Sequence, residues 1–237
     1  MLLGKTIGIV MPAYNCAKTL IEVHKEIPHN IVDEIILVDD YSNDNTISIA
    51  EKLKINHIIK HSKNRGYGAN QKTCYDKALE LKVDIVIMLH PDYQYPPALI
   101  IPMATLIASS SSKIVFASRM KDSNARRNGM PLYKYISNKI LTNFQNILLD
   151  KSLSEYHTGY RAYSREVLKK IDYHKNSDGF IFDNQIILQC FANGYKIDEI
   201  STPAKYEKNS SSISFRQSII YGFGIIYYTI KYKINTG

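Results

Sequence analysis

Short apolar runs alternate with segments of helical spacing through the first half of this chain. Strands are predicted for the five apolar runs at residues 6–11, 32–38, 56–60, 83–89 and 113–117. Helices are predicted for the four segments between them, at residues 17–27, 46–53, 69–81 and 98–108. Strands and helices that alternate in this way are typical of a parallel sheet covered on both faces. We therefore predict an α/β fold with a mainly parallel central sheet and helices on both faces.

The alternation ends near residue 118, and the second half of the chain has a different organisation. A charged, loop-like stretch at 121–129 precedes two predicted helices, at 131–149 and 178–193. A polar stretch at 205–214 shows no periodicity. These features predict one large domain over 1–215 with two unlike halves, 1–118 and 119–215.

The most apolar segment lies near the C-terminus, at 219–230, where basic residues flank it. We predict an apolar and basic helix over 216–237 that either packs in an oligomer or lies at a membrane interface. No apolar run in the chain reaches the roughly 18 residues that a membrane-spanning helix needs.

The chain is basic, with a formal net charge of +8 over 237 residues. This balance favours phosphate-bearing partners. Nucleic acid is not predicted among them, because the basic residues are dispersed and no aromatic-basic RNA-binding motif is present. The cysteines, Cys16, Cys74 and Cys190, are scattered and odd in number, which favours reduced thiols. We expect a cytoplasmic protein, peripheral on the inner face of the membrane if its C-terminal helix lies there.

Groups that can bind a metal follow the fourth predicted strand. His90, Asp92 and Gln94 come directly after the run at 83–89. In extended chain, residues at i, i+2 and i+4 point to one side. Ligands of open α/β sheets bind just outside the carboxyl ends of the strands. The sequence therefore predicts a ligand or metal site at this strand end.

Two further strands also end in polar or special residues. The first ends in Pro12-Ala13-Tyr14-Asn15, and the second ends in Asp39-Asp40. Because parallel strands end at the same edge of a sheet, we expect the three clusters to lie together. Gly66 and Gly68 precede the third helix, where they either let the backbone approach a phosphate or form a turn with a glycine-rich cap.

Taken in order, these motifs resemble one family over roughly residues 6–215. The chain resembles the family-2 glycosyltransferases with the GT-A fold, and within them the dolichol-phosphate mannose synthase type that transfers sugars to polyprenyl phosphates. The resemblance is carried by Pro12-Ala13-Tyr14-Asn15, Val38 to Thr46, Asn64 to Ala69, His90 to Pro97, Ser118-Arg119 and Thr158 to Tyr163. It implies an inverting hexosyltransferase with a nucleotide-binding half at 1–118 and an acceptor half at 119–215.

The resemblance also implies where a UDP- or GDP-sugar donor binds. Pro12, Ala13, Tyr14 and Asp40 would hold the nucleoside, with Val38 against the base. Asp39 would instead support the turn. Where the family often has glutamate after the first motif, this chain has Cys16.

A divalent metal, Mg²⁺ or Mn²⁺, is implied at the fourth strand end. The family motif Asp-x-Asp-x-Gln reads His90-Pro91-Asp92-Tyr93-Gln94 here. Asp92 would bind the ion that bridges the donor diphosphate, and Gln94 could add an oxygen ligand. His90 replaces a carboxylate, which predicts a weaker or more Mn²⁺-tolerant site. Alternatively, His90 contacts the donor diphosphate directly, or the site has lost the metal. Pro91 is also implied at the donor.

Positively charged groups are expected beside the donor diphosphate and beside an acceptor phosphate. Asp92 with its metal and Arg119 would stabilise the leaving diphosphate. For a polyprenyl phosphate acceptor, Arg126, Arg127 and Arg161 could supply positive charge. A hydroxyl acceptor on a glycan remains an alternative, and Asp183 would then be its base. Another alternative, suggested by His90 and Cys16, is a non-catalytic nucleotide-sugar-binding protein.

Overall fold

A computed structural model of the chain describes residues 1–122, 125–126, 128–203 and 215–236. Its seven strands form one sheet in the order β3-β2-β1-β4-β6-β5-β7. The strands are β1 Ile7–Ala13, β2 Glu34–Asp39, β3 His57–Lys60, β4 Ile85–Met88, β5 Ile114–Ser118, β6 Arg161–Ser164 and β7 Asp198–Ser201. The helices are α1 Leu20–Glu26, α2 Thr46–Lys52, α3 Tyr67–Glu80, α4 Ile100–Ala108, α5 Leu132–Leu149, α6 Arg165–Lys170, α7 Phe182–Ala192 and α8 Phe215–Thr236.

The predicted α/β architecture is confirmed, with one antiparallel strand that the sequence did not reveal. Strands β1 to β4 pair in parallel, and β5 pairs in parallel with β7. Strand β6 lies between β4 and β5 and is antiparallel to both. Its short sequence, Arg-Ala-Tyr-Ser, contains no apolar run, and β7 is similarly polar. The second half of the chain therefore adds strands to the sheet.

Helices cover both faces of the sheet because its central strands are buried on both sides. Alternate residues of β1 belong to different cores: Ile9 packs with α1 and α4, and Val10 packs with α3 and α7. All seven residues of β1 are buried. This central strand brings the ends of β2 and β4 to the two sides of its own end.

The C-terminal helix contains the apolar segment at 219–230 and extends beyond it on both sides. Helix α8 runs from Phe215 to Thr236 and packs against α5 and α7. Among the helices of the described residues, none combines the length and apolar character needed to cross a bilayer. All three cysteines are buried and form no disulfide.

Candidate active site

The ends of β1, β2 and β4 are tied together at one edge of the sheet. The Nδ2 atom of Asn70, on α3, donates to the carbonyl oxygens of Ala13 (3.3 Å) and Val38 (3.0 Å). The Thr19 hydroxyl donates to the Pro91 carbonyl at 2.6 Å. The predicted meeting of the three polar clusters is therefore observed. Sequence reasoning missed Asn70, although an asparagine in an otherwise buried helical face is itself a signal of such a role.

The paired aspartates after β2 hold two different loops. Asp39 accepts hydrogen bonds from the backbone N–H (3.0 Å) and the hydroxyl of Ser42, as its predicted turn-supporting role requires. Asp40 is buried, and its carboxylate accepts from His61 Nδ1 (2.7 Å) and from the backbone N–H groups of Arg65 (2.8 Å) and Gly66 (2.9 Å). Asp40 thus positions the loop before α3. Its contact with a nucleoside stays a prediction.

Gly66, just before α3, and Gly68, in its first turn, allow a close approach by another segment of the chain. A Cβ atom on Gly68 would lie 2.4 Å from the carbonyl oxygen of Ser177, and one on Gly66 would lie 2.7 Å from that of Asp178. The Gly68 N–H donates to the same Asp178 carbonyl at 2.7 Å. These contacts place the backbone of residues 177–178 against the two glycines, and an approach of Gly66 and Gly68 to a phosphate stays a prediction.

Replacement of Gly68 by alanine is expected to destabilise the protein by about 1–3 kcal/mol, because the added Cβ meets backbone that cannot rotate away. Urea denaturation would measure the change. Gly179→Ala is the matched control, since its Cβ would meet only the Ser177 hydroxyl, at an ordinary 3.6 Å. Equal stability of the two variants would contradict the packing role of Gly68.

The segment after β4 turns, and the predicted extended arrangement of His90, Asp92 and Gln94 is wrong. Residues 91–95 form turns and bends, and Tyr93 has a left-handed φ of 60°. The Asp92 carboxylate accepts a hydrogen bond from the Gln94 N–H at 3.1 Å. A short aspartate side chain commonly stabilises such a turn through its own backbone. Asp92 and Gln94 remain together and partly exposed, while His90 points elsewhere.

The residues at this turn fit a divalent ion that brings most of its ligands with it. No cluster of three His, Cys, Asp or Glu side chains that could hold a metal exists among the residues the structure describes. Mg²⁺, however, is often held by one or two carboxylates, with substrate phosphates and water completing its shell. Asp92 supplies one carboxylate, and Gln94 offers an amide oxygen beside it. These two side chains therefore offer oxygen ligands, and a part for His90 at a metal stays a prediction.

His90 contacts a polar network instead. Its Nε2 atom lies 3.2 Å from the Tyr67 hydroxyl, and that hydroxyl donates to Asp183 Oδ2 at 3.0 Å. Burial and the nearby Asp183 carboxylate raise the pKa of Tyr67, so the hydroxyl keeps its proton. Because this proton is directed at Asp183, the Tyr67 oxygen is left to accept from His90. Gly159 packs against the ring, where a Cβ would lie 2.6 Å from His90 Nε2.

Asp183 lies at the first turn of α7, and its carboxylate is surrounded by donors. Gln71 Nε2 donates to Oδ1 at 2.9 Å, and Arg161 Nη1 lies 3.3 Å from the same oxygen. With Tyr67, three side chains from α3 and β6 hold a carboxylate that is 8% exposed. Its role toward an acceptor stays a prediction, while the geometry makes it the counter-ion of Arg161.

Arg161 is fully buried, which does not favour its predicted contact with an acceptor phosphate. Its guanidinium donates to the carbonyl oxygens of Thr158 (2.8 Å), Asp183 (2.8 Å) and Tyr156 (3.1 Å). It also lies over the Phe116 ring, 4.8 Å from the centroid. Burial alone would lower the pKa of Arg161, but Asp183 raises it above its ordinary value. Arg161 therefore joins β6 to α7 as a permanently charged internal group.

Arg119, at the end of β5, forms an ion pair with a residue that sequence reasoning missed. Its Nε donates to Glu155 Oε1 at 2.9 Å, and its backbone N–H donates to Oε2 at 2.8 Å. Asn138 of α5 donates to Glu155 at 2.7 Å. Burial would raise the pKa of Glu155, but the charge and hydrogen bonds of Arg119 bring it below its ordinary value. A lone glutamate in a loop gave no sequence signal of this role.

Lys134 lies in the same neighbourhood, one turn before Asn138. Burial and the nearby Arg119 charge lower the pKa of this lysine. Because Glu155 balances the charge of Arg119, Lys134 leaves this group of three side chains with a net positive charge. Sequence reasoning missed Lys134.

The remaining predicted residues lie at the margins of this edge. Tyr14 is 50% exposed beside the buried Pro12 and Ala13. Cys16 is buried, and burial raises the pKa of its thiol to about 12, so it is neutral. The Arg126 guanidinium donates to the Met130 carbonyl at 3.1 Å. Arg127 and the predicted loop at 205–214 lie outside the described residues.

Solved structures share this fold. The chain superposes on glucosyl-3-phosphoglycerate synthase from Mycobacterium tuberculosis in complex with phosphoglyceric acid, with a TM-score of 0.74 at 16% sequence identity, covering 97% of this chain and 80% of that one. The complex of that enzyme with uridine diphosphate gives the same TM-score at 17% identity, with the same coverage of both chains. The sheet, with its polar strand ends, is that of a GT-A glycosyltransferase.

The sequence assigns the family. A model described as glycosyl transferase family 2 matches residues 8–172, and the chain belongs to this family. It is 31% identical to an uncharacterised protein of Methanocaldococcus jannaschii, over 96% of this chain and 92% of that protein. It is 28% identical to UDP-N-acetylglucosamine–dolichyl-phosphate N-acetylglucosaminyltransferase of Methanococcus voltae, over 97% of each. It is 24% identical to polyprenol monophosphomannose synthase of Mycolicibacterium smegmatis, over 81% of this chain and 74% of that protein. The chain is thus a hexosyltransferase-type enzyme, as its motifs predicted.

Proposed function

We propose that this enzyme transfers a sugar, with inversion, from a nucleoside-diphosphate donor to a polyprenyl phosphate. The observation that carries the proposal is the match to the dolichyl-phosphate N-acetylglucosaminyltransferase over nearly the full length of both chains. The polyprenol monophosphomannose synthase adds a second lipid-phosphate enzyme among the relatives. A UDP-sugar is the first donor to test, and GDP-sugars are the second.

The reaction forms one bond and breaks one at the sugar C1. An oxygen of the lipid phosphate attacks C1, and the bond from C1 to the donor diphosphate breaks, with the electron pair leaving on the nucleoside diphosphate. Negative charge grows on that leaving group, so positive charge near it lowers the barrier. Asp92 and Gln94 would hold a divalent ion whose positive charge stabilises the diphosphate. Arg119, just after β5, would add positive charge that its partner Glu155 partly balances.

The acceptor needs little activation if it is a phosphate. A phosphate monoester is already anionic at neutral pH, so no strong base has to remove a proton from it. Lys134, beside the Arg119–Glu155 ion pair, would supply the net positive charge that the acceptor phosphate requires, in place of the buried Arg161. The network around Asp183 supports this reading, because a carboxylate that binds Tyr67, Gln71 and Arg161 is poorly placed to accept another proton.

A transfer assay with labelled UDP-, GDP- and dTDP-sugars tests the proposal. The acceptors are a polyprenyl phosphate in nonionic detergent and, in parallel, glycan hydroxyls, each with Mg²⁺ or Mn²⁺. We expect a lipid-soluble labelled product from the polyprenyl phosphate only. Transfer to a hydroxyl acceptor, lost in Asp183→Asn, would favour the alternative with Asp183 as base. Donor binding without any transfer would favour a non-catalytic binder.

Lys134→Met sharpens the test of the acceptor site. We expect it to raise the KM for polyprenyl phosphate about tenfold, as expected from the loss of one charge-assisted contact. The KM for the donor should stay unchanged. Lys169→Met, on α6, removes the same charge away from the site and should leave both constants unchanged. A selective rise in the donor KM would contradict the acceptor assignment of Lys134.

A further inference from the structure

Helix α5 is amphipathic, but polar side chains lie on its buried side and large apolar side chains on its exposed side. Its buried positions include Asn138, Thr142 and Gln145. Large apolar side chains lie exposed on its other side, namely Leu132 (55%), Tyr133 (51%), Ile136 (47%), Ile140 (63%) and Ile147 (84%). In a helix that faces water, the opposite arrangement is the stable one. The outer side of α5 therefore suits an apolar environment.

Helix α8, which packs against α5, shows the same pattern. The buried Thr229 of α8 accepts from Gln145 of α5 at 3.1 Å. Its exposed apolar side chains recur every three or four residues, at Ile219, Ile220, Phe223, Tyr227, Ile230 and Ile234, with exposures from 42% to 76%. Ile181, just before α7, lies against Gly224, so α8 rests on the domain by its other side. We call the exposed apolar sides of α5 and α8 the outer face.

The charged residues that α5 and α8 themselves carry are all positive. Neither helix contains Asp or Glu, while Lys139, Lys231 and Lys233 are exposed along them. Lys231 lies close to the Tyr227 ring, 5.9 Å from its centroid. A second copy of this chain would bring the same cations against this face and be repelled. Anionic headgroups complement the lysines, and the hydrocarbon region takes up the apolar side chains.

We infer that the outer face of α5 and α8 binds the surface of an anionic lipid bilayer. The functional significance of this binding rests on the proposed function, because an acceptor carried on a lipid has to be reached at a membrane. The same helix connects the two sites: α5 carries Lys134 and Asn138 beside Arg119 and Glu155 at its first turns. Docking by the outer face thus brings the acceptor side of the active site to the headgroup layer.

Vesicle flotation without donor or acceptor tests the inference. Phosphatidylcholine vesicles with and without phosphatidylglycerol are mixed with wild type, with Ile140→Glu/Phe223→Glu, and with the control Ile21→Glu/Ile101→Glu. The control adds the same charges at isoleucines of α1 and α4 that are 47% and 46% exposed. Wild type and control should bind the anionic vesicles at least tenfold more tightly than the neutral ones. The outer-face variant should lose at least tenfold, since burial of two large apolar side chains is replaced by two carboxylates.

The outcomes separate this inference from the proposed function. Equal binding by both double variants, or no binding of wild type, would overturn it. The inference would also be overturned if wild type sedimented as a dimer and the outer-face variant as a monomer, or if the outer face bound another protein and no vesicles. A transfer assay with a short, water-soluble prenyl phosphate does not depend on membrane binding. If wild type bound vesicles but transferred no sugar to this acceptor, only the proposed function would be refuted.

Discussion

Replacement of Asp92 by asparagine is expected to lower the rate of sugar transfer by about 10²- to 10³-fold, the size of effect seen when one stabilising group at a developing charge is removed. Asparagine keeps the shape of the side chain and can still accept from the Gln94 N–H, so the turn after β4 should survive. The lost charge is what would anchor the divalent ion on the donor diphosphate. Transfer rates measured across a range of Mg²⁺ and Mn²⁺ concentrations check this.

The matched control for this variant is Asp172→Asn. Asp172 pairs with Lys175 at the surface, and the adjacent Tyr173 bonds to Asp76, near the end of α3 that lies away from the active site. We expect wild-type rates for it at every metal concentration. A wild-type rate for Asp92→Asn with saturating donor would remove Asp92 from the catalytic machinery and move the search to other oxygens at this edge.

Replacement of Arg161 by methionine is expected to reduce the free energy of unfolding by about 3–5 kcal/mol, because it leaves a buried carboxylate without its counter-ion. The change also strips hydrogen bonds from the carbonyl oxygens of Tyr156, Thr158 and Asp183. Urea denaturation followed by circular dichroism measures the loss. Activity should fall along with stability, since Asp183 and Tyr67 lose their fixed positions.

Arg165→Met provides the comparison, because Arg165 pairs with Asp84 where both side chains are partly exposed. A partly solvated pair of this kind contributes about 0–1 kcal/mol. A loss for Arg161→Met no larger than that of Arg165→Met would show that Asp183 does not depend on Arg161 for its charge.

The parallel half of the sheet could be predicted because its strands are apolar runs. Strands β1, β2 and β4 are buried on both faces, so nearly every residue of them is apolar and the pattern is plain in the sequence. Strand β6 could not be predicted in this way. Its Arg161 can be buried because carbonyl oxygens and Asp183 surround it. Asp183 is distant in sequence, so the local sequence around Arg161 does not predict this burial.

The position of the candidate site could be predicted from the sequence, but most of the hydrogen bonds within it could not. The polar residues after β1, β2 and β4 meet as expected, since parallel strands share an edge. The turn at 91–95 overrode the extended geometry because Asp92 bonds to the backbone two residues later. Tyr67 meets Asp183, 116 positions away, and only the folded chain brings them together. The glycines at 66 and 68 allow the close backbone approach that their residue type predicts, and residues 177–178 make that approach.

His90 and Gly159 occupy one shared volume at the centre of this site. A methyl group on Gly159 would fall where the imidazole now lies. The histidine and the missing side chain are therefore a matched pair, and neither position can be exchanged alone without displacing or stranding the other. Replacement of His90 by aspartate would leave space beside residue 159, so that a residue larger than glycine could be accommodated there. The histidine at position 90 is thus accommodated by the loop before β6, almost seventy residues further along the chain.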